Sequence, residues 1–112
     1  MTPVALLFRL LVAHAVCDYA LQSEFMADAK RPASLYRRAK FGPWWWWALA
    51  HGFINGAGVY WATYSLTLGY LETLVHVGLD YAKCRGWLTT GQDQGAHLVA
   101  KGLWLLLAGE VR

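Results

Sequence analysis

Charge is scarce in this chain. Asp, Glu, Lys and Arg make up 15% of its 112 residues, where about 25% is usual. Disorder is excluded, because a segment that stays unfolded needs many charges and few apolar side chains. Cysteine is almost missing, and Cys17 and Cys84 do not make a disulfide framework. A cleavable leader is not expected either. Met1 to Ala13 is apolar and Ala15-Val16-Cys17 faintly suggests a lipoprotein site, but no Lys or Arg precedes the apolar run and Arg9 interrupts it. The segment reads as a retained span. The length allows one domain.

Apolar side chains are abundant instead. Hydrophobic residues reach 57%, with seven Trp and eleven Gly, and mean hydropathy is +0.28. Such a composition leans towards a membrane protein. The formal charge is +3 and the pI about 9.0. The basic residues concentrate between Lys30 and Lys40 and at Lys83 and Arg85. In so apolar a chain they point to membrane topology and anionic lipids rather than to nucleic acid.

Four hydrophobic runs follow one another, at residues 3–22, 43–66, 67–82 and 92–109. They predict an all-α fold, an integral membrane four-helix bundle with antiparallel neighbours, in one domain over residues 1–112. Ser23 can cap a short interfacial helix ending before Pro32, and Pro43 opens the second run at a favoured first helical position. The last two runs, about 15–18 residues each, are short for a bilayer. They would also suit core helices of a soluble bundle, although their apolar residues wrap all round. The loops at 23–42 and 83–91 carry the basic residues, so they are expected to be cytoplasmic with both termini external. Trp44 to Trp47 then fall at the cytoplasmic interface, where aromatic belts sit.

Ionisable residues inside spans are costly and point to function. His14, Asp18 and Gln22 are spaced by four, as are His51 and Asn55, and His76 and Asp80. Asp93, Gln94 and His97 open the fourth run. Residues four apart share one helix face. The topology, read from Lys and Arg alone, puts every such pair in the cytoplasmic half of its span. His14, Asp18, His51, His76, Asp80, Asp93 and His97 are therefore candidate ligands of a divalent metal ion. Zinc is the first choice, with manganese or iron as alternatives. Polar packing between helices and a proton or ion path would use the same residues. Cys17 and Cys84 are weaker candidates as ligands. Lys83 is either a basic anchor at the interface or a catalytic residue.

A second polar layer, Arg9, Glu72 and Lys101, lies about one turn outward, and an Arg9–Glu72 ion pair is expected within it. Gly52 and Gly56 form G-x-x-x-G, which permits close approach of another backbone, within the chain or from a second copy.

The run His14-Ala-Val-Cys-Asp18-Tyr-Ala-Leu21-Gln22, then Phe25-Met26-Ala27 and Lys30, resembles the opening motif of domain-of-unknown-function family 3307. His51, His76-x-x-x-Asp80-x-x-Lys83 and Asp93-Gln94-x-x-His97 look like its later motifs in the same order. The resemblance spans nearly the whole chain and implies a small multi-pass protein of the bacterial inner membrane, found also in tailed phages. It carries no established activity. The pattern is similar to that of membrane proteins labelled metal-dependent hydrolases, although the Trp run and short loops depart from it. Two functions are therefore expected as alternatives. One is metal-assisted hydrolysis of a phosphoester or lipid-linked substrate, with His14, His76 and His97 as ligands, Asp18 or Asp80 as ligand or general base, and Lys83 near an anionic headgroup. The other is a non-catalytic membrane accessory subunit, phage-encoded in one version. It would pack against a membrane-protein partner or a second copy through its Trp and Gly faces. A pore-forming role fits less well, since it needs no matched His–Asp pairs.

Overall fold

A computed structural model of the chain describes residues 1–32 and 43–111. The stretch 33–42, with three of the basic residues used to assign topology, lies outside the described residues. Helix α1 covers Pro3–His14 and runs straight into a π-helical segment, Ala15–Ala20. It is followed by α2 (Glu24–Ala29), α3 (Trp44–Thr63), α4 (Leu66–Cys84) and α5 (Thr90–Val111). The fold is all-α, with no strand among the described residues.

Local chemistry sets the boundaries. Thr2 accepts a hydrogen bond from the Ala5 amide at 3.1 Å, with Pro3 beginning the helix. Ser23 caps α2 through the Met26 amide at 3.0 Å. The α3–α4 break falls at Tyr64–Ser65, earlier than the Leu66–Gly69 junction suggested by hydropathy. Tyr64 adopts a left-handed conformation at φ 58° and Ser65 accepts from the Leu68 amide at 3.2 Å. A serine cap and one left-handed residue close this turn without glycine.

The four long helices form a ring in which α1 packs on α3 and α5, and α4 packs on the same two. Each neighbour runs antiparallel. The α3–α4 contact is the closest, and the G-x-x-x-G face makes it within the chain. A methyl group on Gly56 would clash with Thr73 Oγ1 and lie 2.5 Å from the Gly69 carbonyl oxygen. One on Gly52 would lie 2.6 Å from Val77 Cγ2.

The interior has two ends. Leu6 and Leu10, Val59 and Ala62, Leu68, and Ala100, Trp104 and Ala108 fill one with apolar side chains. The other end buries His14, Asp18, His51, Asn55, His76, Asp80, Asp93 and His97. The outside is apolar: Val4, Phe8, Leu74, Val99 and Leu106 are all at least two-thirds exposed. By length and composition, one helix among the described residues, Pro3–Ala20, is long and apolar enough to cross a membrane.

Gly56→Ala should lower thermal stability by about 1–3 kcal/mol, because the methyl group meets backbone. Gly78→Ala, where nothing lies within 4 Å of the added carbon, should be neutral or gain up to about 1 kcal/mol. Thermal unfolding of the two variants, followed by circular dichroism, checks the pair. Equal effects would mean that α3 and α4 do not approach through this face.

Candidate metal centre

The π-helical segment positions the first carboxylate. Its wide turn is marked by the Leu21 amide donating to the Val16 carbonyl at 2.8 Å, five residues back. Single π turns inside α-helices often lie at functional sites. Here the turn carries Asp18 into the bundle, where its Oδ1 lies 3.0 Å from His51 Nε2 and 3.3 Å from His76 Nε2.

Asp80 supplies the second carboxylate from α4. Its Oδ2 is 3.5 Å from His76 Nε2 and 3.8 Å from His51 Nε2, and its Oδ1 is 3.6 Å from His97 Nε2. Asp93, one turn before His97 on α5, places Oδ1 at 3.4 Å from His97 Nε2. The rings of His76 and His97 are 4.3 Å apart, and those of His51 and His76 4.9 Å. His51, His76 and His97 are fully buried.

His14 stands to one side. Its Nε2 is 3.2 Å from Gln94 Oε1 and 3.9 Å from Asp18 Oδ2. Gln94 joins it to the centre, accepting a hydrogen bond from the Tyr19 hydroxyl at 2.5 Å and donating to Asp93 Oδ2 at 3.3 Å. Lys83 is at the rim, its ammonium 4.0 Å from Asp93 Oδ2 and 42% exposed. All seven sequence candidates for metal ligation thus lie in one cluster with Lys83 at its edge. His51 is central and His14 peripheral.

Three groups of buried side chains bring one ligand atom each within 4.8 Å of one another: Asp18–His51–His76, Asp80–Asp93–His97 and Glu72–His76–His97. His76 Nε2, His97 Nε2 and Asp93 Oδ1 are buried without a hydrogen-bond partner among the described residues. Such orphaned atoms are uncommon and call for an explanation. Bonds of roughly 2.1 Å to nitrogen and oxygen around a tetrahedral ion put neighbouring donors about 3.4 Å apart. His76 Nε2 lies 3.3 Å from Asp18 Oδ1 and 3.5 Å from Asp80 Oδ2, and His97 Nε2 lies 3.6 Å from Asp80 Oδ1 and 3.4 Å from Asp93 Oδ1; these separations match that spacing, so the donor set fits a small divalent ion.

His76 has a support shell. Its Nδ1 is 3.1 Å from Glu72 Oε2, so a proton on Nδ1 leaves the Nε2 lone pair aimed at the cluster. Glu72 Oε1 in turn accepts from Lys101 Nζ at 2.7 Å and Trp104 Nε1 at 2.9 Å. Lys101 is therefore the partner of Glu72, and the expected Arg9–Glu72 pair is not formed. Arg9 turns to the C-terminal end of α3 instead. It donates to the carbonyls of Trp61 and Ala62 and lies 4.0 Å over the Trp61 ring. Helix C-termini attract cations and aromatic faces do the same.

Two polar contacts come from residues that were not among the site residues expected from the sequence. Lys30, from the end of α2, donates to Asp80 Oδ2 at 3.0 Å and to Gln22. Trp104 read as an apolar residue. Its place three residues after Lys101 was the available clue. Neither cysteine belongs to the candidate ligand groups. Cys17 packs on Gly58, where an added methyl would lie 2.8 Å from its Sγ.

Fold and centre together define an all-α bundle with a buried histidine–carboxylate cluster at one end. The chain belongs to the family described as protein of unknown function (DUF3307), which matches over residues 6–101. That span contains every residue of the cluster. No curated protein and no solved structure matches the chain.

The support shell is testable. Lys101→Met should cost about 3–5 kcal/mol, because it strands the Glu72 carboxylate. The double variant Lys101→Met, Glu72→Gln should recover much of that loss. Denaturation of both variants measures it, and equal losses would disprove the coupling.

Proposed function

We propose that the chain is an integral membrane four-helix protein binding a divalent metal ion, zinc foremost, at the His/Asp centre near the cytoplasmic face. The observation that carries the metal reading is that His97 Nε2 and Asp93 Oδ1, both buried and unpartnered, lie 3.4 Å apart, with unpartnered His76 Nε2 joined to the same centre 3.5 Å from Asp80 Oδ2. His76, His97, Asp80 and Asp93 are the assigned ligands, with Asp18 and His51 completing a second group and His14 beside it. Imidazole and carboxylate together suit zinc, manganese or iron.

The membrane reading rests on the distribution of polarity. Lys101, Glu72 and three histidines are inside, while Phe8, Leu74 and Leu106 face out. A membrane turns ionisable residues towards a bundle interior and apolar ones to lipid. Arg85, at the end of α4, then lies on the cytoplasmic side. A reporter fused after Arg85 should behave as cytoplasmic and one at the C-terminus as external. The opposite result would remove the assigned orientation.

The activity we assign is hydrolysis of a phosphoester or lipid-linked substrate. A bound divalent ion lowers the pKa of water towards neutrality and stabilises charge on phosphoryl oxygens. Asp18, outside the assigned ligands of that ion, would take the proton of the attacking water. The new oxygen–phosphorus bond replaces that to the leaving group, whose oxygen is protonated by solvent. Lys83 faces the anionic substrate at the rim.

A second reading, a metal-free accessory subunit whose polar layer fixes helix register, draws on bonds already made. His51–Asp18 and Lys30–Asp80 both close at 3.0 Å. Elemental analysis of the purified, zinc-supplemented protein separates the two. At least one ion per chain is expected, with His97→Ala and His76→Ala each losing most of it and His14→Ala losing less. Ligand imidazoles must be neutral, so metal should also leave as the pH is lowered. Metal-free protein whose stability ignores both zinc and chelator would establish the accessory reading.

A further inference from the structure

The cluster opens through two cavities at the same end of the bundle. One of about 160 Å³ is lined by Asp18, Tyr19, Asp80, Asp93 and Gln94 among others. The second, about 340 Å³, is lined by Ala27, Arg31 and Cys84. Gln22, Lys30 and Lys83 line both, so the cavities adjoin. The inner one has an acidic floor and the outer one basic walls.

Charge bookkeeping gives this opening a direction. Lys30, Arg31 and Lys83 stand against Asp18, Asp80 and Asp93. Glu72 is matched separately by Lys101. Among these six side chains the charges balance without an ion, and an anion gains little by entering. One divalent ion on the floor leaves two positive charges in excess. A phosphate monoester carries close to two negative charges at neutral pH. Its oxygens also find donors in place, the Lys30, Lys83 and Arg31 groups at the wall. Charge-assisted bonds from such groups to phosphate are the strong ones. Unpartnered Asp93 Oδ1 and His97 Nε2 lie beneath the same opening.

We infer that the outer cavity is a phosphate-binding subsite, formed by Lys30, Arg31 and Lys83, that fills only when the metal centre is loaded. The inference rests on the metal reading above and narrows its substrate to compounds with a terminal phosphate monoester. Lys30 bridges floor and wall, because its ammonium touches Asp80 and borders both cavities. An ion that engages Asp80 weakens the hold on that ammonium and frees it for the incoming anion.

The test is isothermal titration of the full-length purified protein with inorganic phosphate, before and after zinc loading, with metal content measured on each sample. Phosphate should bind the zinc-loaded protein and not the chelator-treated one. Lys83→Ala and Arg31→Ala should each weaken binding roughly tenfold, the loss of one charge-assisted bond, while keeping the metal. Lys83→Gln and Arg31→Gln repeat the measurement if an alanine variant loses its helical signal. Zinc-loaded protein that ignores phosphate, or binds it equally well without Lys83 and Arg31, overturns the subsite and leaves the metal reading standing. Wild-type protein that takes up no metal overturns both. Bilayer discs containing phosphatidic acid, compared with phosphatidylcholine alone, assign the source. Competition with phosphate identifies a lipid headgroup, and retained phosphate binding without competition identifies a soluble phosphate compound.

Discussion

Every charge buried in this bundle has to be answered by another group, and that requirement organises the structure. Glu72 is fully enclosed and is satisfied by Lys101, Trp104 and His76 from two helices. An isolated carboxylate at this depth would be prohibitively costly. The Lys101 and Trp104 contacts lock α4 to α5, and the His76 contact fixes which nitrogen of that ring faces the cluster. Asp18 does the equivalent between the first helix, α3 and α4. The polar end is thus held by direction-specific bonds, whereas the apolar end is held by packing around Leu10, Val59 and Trp104.

Division into two ends also explains the shape of the chemistry. Close approach of α3 and α4 through Gly56 and Gly69 draws the backbones together over the apolar half. Beyond it, His51, His76 and Asp80 sit on the same facing surfaces and meet across the interface. His76 Nε2, His97 Nε2 and Asp93 Oδ1 nonetheless remain without a hydrogen-bond partner among the described residues.

Much of this was legible in the sequence, for a specific reason. A spacing of four puts His76 and Asp80, or Asp93 and His97, on one face whatever the surroundings, and an ionisable face turns inward. The all-α fold and the short helix after Ser23 followed from equally local signals. What depended on rotation between helices was not legible. Arg9 and Glu72 share a level but face different neighbours, so depth alone chose the wrong partner. Hydropathy misplaced the α3–α4 turn, since Tyr64 and Ser65 end and begin helices through backbone conformation and a hydroxyl cap.

The π turn at Ala15–Ala20 has one more consequence. A wide turn is a register in which the chain holds one residue more than a regular helix needs, and it is less stable than the α form in isolation. It persists here while Asp18 is gripped by His51 and His76. Should those grips loosen, the surplus residue can travel along the helix like a dislocation in a crystal. Asp18 would then rotate without unfolding the segment or separating α1 from α3. A carboxylate inside the cluster is thus mounted on a segment whose register is adjustable.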